Sequence, residues 1–107
     1  MTLDEAVKAI IEETKEYKWE NQEDDHLRCY IQHEPGQLWY CPITALLWKS
    51  KGWSYSTGAY HLAASEMGFV AGAASIIADA ADNHLNTPER KQVRERLVNG
   101  LLRKVAT

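Results

Sequence analysis

A chain of 107 residues fits one domain, long enough to bury a real core without disulfide or metal staples. Its 45% hydrophobic and 25% charged residues, with 6 glycines and 3 prolines, exclude a disordered or fibrous polymer. The net charge of −3 argues against a duplex-DNA ligand, and no stretch approaches the roughly 18 consecutive apolar residues that a membrane span requires.

The first predicted element is a helix over residues 3 to about 18. Thr2-Leu3-Asp4-Glu5 has the form of a capping box, in which the threonine hydroxyl and the glutamate carboxylate each take a free backbone N–H. Leu3, Ala6, Val7, Ile10, Ile11 and Tyr17 then recur at the spacing of one buried stripe. The polar, aperiodic WENQEDDH that follows reads as a loop.

From His26 the period changes to two. Leu27, Cys29 and Ile31 alternate with Arg28, Tyr30 and Gln32, and Glu34-Pro35-Gly36-Gln37 carries the Pro-Gly centre of a type II turn ahead of LWYC. This predicts a short β-hairpin between the first and second helices, leaning on them because two strands alone are marginal in water.

Pro42 suits the first position of a second helix, with Ile43, Leu46 and Leu47 on its buried side and Gly52 as its stop. WSYSTG is turn-rich. AYHLAASEMG predicts a third helix ending at Gly68, and FVAGAASIIADAAD a fourth, whose small side chains suit a central element. Thr87-Pro88 caps a closing helix in which Val93, Leu97, Leu101 and Val105 recur every fourth residue. The fold expected is mainly α, a compact bundle of four or five helices.

Charge is spread unevenly. Residues 1–25 hold nine acids against three bases, whereas residues 88–107 hold six bases against two acids. The two ends should attract each other, within one chain or between two copies. The acidic start lacks the basic, apolar form of a secretion signal, so a cytoplasmic location is expected, with Cys29 and Cys41 reduced.

Four constellations bear on chemistry. With Pro42 opening a helix, Cys41 takes the N-cap, where free N–H groups and the helix dipole favour a thiolate. Gln37-x-x-x-Cys41, with His61 and acids at Asp79 and Asp82 downstream, resembles the start of papain-like cysteine peptidases. That likeness implies Gln37 at the oxyanion and His61 as the base, although Pro42 stands where those enzymes have Gly. The simpler reading makes Cys41 a small residue capping a helix.

Second, His26, Cys29, His33 and Cys41 supply two imidazoles and two thiols within 16 residues, a donor set for a zinc-stabilised binding module. On an alternating strand, however, His26 points away from the face shared by Cys29 and His33. Third, EETKE at 12–16 and DAAD at 79–82 place acids at helical spacing, with Asp79 and Asp82 the stronger half of a divalent-metal site. The strings resemble the E-E-x-x-E and E-x-x-D halves of the all-α nucleotide pyrophosphohydrolases, which hold Mg²⁺; a solvated face gives the same pattern for Glu12, Glu13 and Glu16. Fourth, Arg90, Lys91, Arg94 and Arg103 would follow phosphates, but no aromatic residue interleaves them, so a solvated face or a partner for the acidic first helix is preferred.

The most unusual property is aromatic. Trp39, Tyr40, Trp48, Trp53, Tyr55 and Tyr60 fall within 22 residues, more rings than so small a core should take in. Trp and Tyr join large contact area to a polar handle, which suits protein interfaces. The expected function is a non-enzymatic interaction or regulatory protein, engaging a protein partner or a second copy through Trp39, Tyr40, Trp53 and Tyr55, with no cofactor. A small enzyme, thiol-dependent at Cys41 and His61 or metal-dependent at Asp79 and Asp82, is the alternative.

Overall fold

The computed structural model describes residues 1–30, 39–52 and 60–102, and among these the chain forms five α-helices and one three-stranded antiparallel sheet. Helix α1 (Leu3–Thr14) opens with the expected capping box: the Glu5 N–H donates to Thr2 Oγ1 at 3.1 Å and the Thr2 N–H to Glu5 Oε1 at 3.0 Å. The bond to the Thr2 backbone holds the Glu5 carboxyl below its ordinary pKa.

α1 ends four residues earlier than its periodicity predicts. The Thr14 hydroxyl turns back to the Ile10 carbonyl at 2.6 Å, while the Thr14 carbonyl accepts the Tyr17 N–H at 3.1 Å and the Trp19 indole N–H at 2.8 Å. These bonds reverse the chain into strand β1 (Lys18–Asn21), so the segment read as a loop instead begins the sheet. A tight turn at Glu23–Asp25, with Asp24 and Asp25 at positive φ, leads into β2 (Leu27–Tyr30).

Strand order is β1-β2-β3, with β3 at Trp39–Tyr40. Both ladders are antiparallel. Their registers pair Lys18 with Tyr30, Trp19 with Cys29, Cys29 with Tyr40 and Tyr30 with Trp39. Directly paired residues share a face, so the sheet carries two rows. Trp19, Cys29 and Tyr40 enter the hydrophobic core, whereas Lys18, Tyr30 and Trp39 lie on the opposite face. The predicted Pro35-Gly36 turn lies outside the described residues.

Helix α2 (Pro42–Lys51) starts at the Cys41 cap and stops where Gly52 adopts a left-handed conformation, its N–H donating to the Trp48 carbonyl at 2.8 Å. Ile43, Ala45, Leu46 and Leu47 are all buried. Helix α3 (Tyr60–Met67) ends at Gly68, as expected. The next helix does not run from Phe69: Gly68 and Gly72 both sit at positive φ, which interrupts the helix between them, and α4 spans Ala73–Ala81. It packs against all four other helices, with Ala73, Ile77, Ala80 and Ala81 buried.

Helix α5 (Pro88–Leu97) is capped by Thr87, whose hydroxyl accepts the Arg90 N–H at 3.2 Å. A π-helical turn (Val98–Leu102) continues it, and Val105 lies outside the described residues. Val93, Leu97 and Leu101 are buried as predicted. Gly100 in that turn meets α1 so closely that a Cβ would fall 2.7 Å from Ile11 Cγ2. Among the described residues the acidic and basic ends meet within one chain where Arg96 donates to Asp4 at 2.8 Å.

Candidate functional site

The sheet register separates two neighbouring aromatics of the predicted binding set. Tyr40 is 4% exposed, in the core, with its ring centre 6.2 Å from that of Trp48. Tyr40, expected as a contact residue, thus faces the core. Trp39, one residue earlier, is half-buried on the other face and meets Tyr30 edge to face, ring centres 4.9 Å apart at 79°. Lys18 completes this row, its Nζ 5.4 Å from the Tyr30 ring centre. A hydrogen bond to Tyr30, with Glu20 at 3.8 Å, raises the Lys18 pKa. Trp53 and Tyr55 lie outside the described residues.

Cys41 sits at the α2 N-cap, half-buried, with Sγ 3.3 Å from Thr44 Oγ1. The Thr44 hydroxyl donates to the Cys41 carbonyl at 3.1 Å. The contact between Cys41 Sγ and Thr44 Oγ1 can form with either atom as the donor. Gln37 and the His61 side chain lie outside the described residues.

Cys29 is wholly buried on the core face between Trp19 and Tyr40, while His26 Nδ1 is 3.9 Å from Asp82 Oδ1. His33 lies outside the described residues, and among the described residues no three His, Cys, Asp or Glu side chains converge as metal donors.

Asp79 and Asp82, one turn apart near the end of α4, point to different partners. Asp79 accepts from Arg90 Nε of α5 at 2.8 Å, and Asp82 from Arg28 of β2 at 2.6 Å. Each carboxylate already has a guanidinium counter-charge that a divalent cation would have to displace. Glu16 pairs with Lys49, and Glu12 and Glu13 lie exposed on α1.

Arg94, grouped by sequence with phosphate-following residues, is instead buried. One guanidinium nitrogen donates to the Ala80 and Ala81 carbonyls at 3.1 and 2.9 Å, and the other to Asn21 Oδ1 at 3.0 Å. It closes the C-terminal end of α4, where the dipole is negative, and ties β1 to it. Burial lowers its pKa, against the opposing charges of Asp25 and Asp82. A signal for this role was present: Arg94 falls beside Val93 and three before Leu97, within the apolar stripe. Arg90 is likewise committed, to Asp79 and Thr87.

A cleft of about 310 Å³ lies between the start of α1 and α5, lined by Leu3 and Val93 and by charges of both signs, Asp4 and Glu89 against Arg96. No helix among the described residues is long and apolar enough to cross a membrane. Comparison of the chain with protein-family models, with curated proteins and with solved structures finds no match.

Proposed function

We propose that this chain is a small non-enzymatic interaction protein that engages a protein partner, a second copy included, through the aromatic segment 38–60. Trp39 is its anchor among the described residues. The observation that carries the reading is the register of β3: it sends Tyr40 into the core and leaves Trp39, backed by Tyr30 and flanked by the Lys18 ammonium, on the opposite face. A large ring held by a neighbouring ring loses little freedom on docking, and its indole N–H gives a polar handle.

Adjacent substitutions separate the two faces. Trp39→Ala should keep the far-UV circular dichroism of the parent and weaken association by about thirtyfold or more, the loss of about 2 kcal/mol expected of an interface tryptophan. Tyr40→Ala should instead unfold the protein at lower denaturant. Sedimentation velocity over a concentration series reads self-association, and affinity capture with quantitative mass spectrometry reads other partners. A parent that stays monomeric and a Trp39→Ala variant that captures the same proteins at the same strength would refute the proposal.

A further inference from the structure

Of the chain's four asparagines, only Asn99 precedes a glycine. Asn99 is exposed and Gly100 half-buried, both within the π-helical turn that ends α5. With no Cβ on the following residue, the Gly100 amide nitrogen meets the least obstruction in approaching the Asn99 side-chain carbonyl. We infer that Asn99-Gly100 is a self-modification site that the folded turn holds closed, and that its product no longer fits the turn.

The reaction needs only water. The Gly100 nitrogen gives up its proton and bonds to Asn99 Cγ, the Cγ–NH₂ bond breaks, and ammonia leaves a five-membered succinimide. Water then opens either imide bond, giving an aspartate on the original main chain or an isoaspartate whose main chain runs through the former side chain. No electrons are gained or lost. In a helical turn the amide nitrogens are directed along the axis into the main-chain ladder, so attack requires the turn to open first.

The product meets two obstacles to closing again. Its new carboxylate lies near the negative C-terminal end of α5. The isoaspartyl form adds a methylene to the main chain of residue 99, which displaces the following Gly100, and Gly100 is packed so closely on α1 that a Cβ on it would stand 2.7 Å from Ile11 Cγ2 and 2.9 Å from Cδ1. A transient opening is thereby converted into lasting separation of this turn from α1.

The test incubates the full chain in mildly alkaline buffer, folded and in urea, and follows each asparagine by peptide mapping with isoaspartate detection. In urea Asn99 should convert faster than Asn21, Asn83 and Asn86. In the folded protein its rate should fall by about tenfold or more, the protection of a turn that opens only rarely. Purified isoaspartyl protein should show faster amide exchange in residues 98–102 and in α1 near Ile11. Equal rates in folded and unfolded protein would overturn the gate. Absence of conversion at Asn99 in urea would overturn the site, and unchanged exchange in the product would overturn the misfit.

Discussion

Arg94→Met keeps most of the buried aliphatic volume while deleting the guanidinium, which isolates the polar part of this residue's contribution. Ala80 O retains the Asn83 N–H at 3.2 Å, so the principal loss falls on Ala81 O, which gives up its 2.9 Å bond at the buried end of α4. A buried carbonyl deprived of its partner costs about 1–3 kcal/mol. Removal of a cation from a helix C-terminus costs up to about 1 kcal/mol more. Against these stands the desolvation of the guanidinium, visible in its lowered pKa, which the variant no longer bears. The net expectation is a loss of about 2 kcal/mol, a large share of the 5–15 kcal/mol typical of a domain. Arg94→Ala should lose about 3 kcal/mol because packing goes as well. Urea unfolding followed by tryptophan fluorescence should place the Met variant's midpoint about 1–2 M below the parent with an unchanged slope. A Met variant as stable as the parent would refute the reasoning, since burial of the charge would then outweigh its bonds.

Gly100→Ala should lower the melting temperature by about 5–10 °C through the clash with Ile11, a cost of about 1–3 kcal/mol, and Ile11→Ala in the same chain should recover part of it. Recovery of nothing would show that the close approach is not the cause. Thr2→Ala should cost about 1 kcal/mol at neutral pH. Because the folded-state pKa of Glu5 is depressed, the electrostatic part of its contribution is present above the unfolded carboxylate value and fades as pH falls through the folded value. The gap between the parent and Glu5→Ala in thermal melts should therefore narrow in acid, and a gap that widens would reverse the sign. Iodoacetamide should label half-buried Cys41 before wholly buried Cys29 in the folded protein, and both alike in denaturant. That order follows from burial alone, so an activated thiol would have to show itself by Cys41 outpacing a free small-molecule thiol at the same pH.

The parts of the fold legible in the sequence are those fixed by a side chain acting on its own backbone. The Thr2 and Thr87 caps, Pro42 at the first position of α2, and the stops at Gly52 and Gly68 all lie where local chemistry puts them. β1 was not legible for the same reason. Only Trp19 of its four residues is buried, and one apolar residue makes no alternation. What creates the strand is distant: pairing with β2, and the indole bond back to Thr14. Arg94 was hidden by its residue type, since arginine on a helix ordinarily reads as solvated. Its partners, the Ala80 and Ala81 carbonyls and Asn21, come from two other elements. Asp79 and Asp82 were legible as a pair on one helix, but not as members of separate ion pairs, because their arginines lie on α5 and β2.

The aromatic segment shows where counting residues stops being informative. Ring content alone suggested a surplus that a small core could not shelter. Of the six rings between 39 and 60, Tyr40 is buried and Trp39 and Trp48 are half-buried, while Trp53, Tyr55 and the Tyr60 side chain lie outside the described residues. What singles out Trp39 is register: a slip of one residue between β2 and β3 would exchange the faces of Trp39 and Tyr40 and reverse which ring the core takes. Pairing of Cys29 with Tyr40 fixes that choice. The interaction reading thus rests on two ladder pairs rather than on the number of tryptophans, and a perturbation of the register should move the docking face even with every aromatic residue retained.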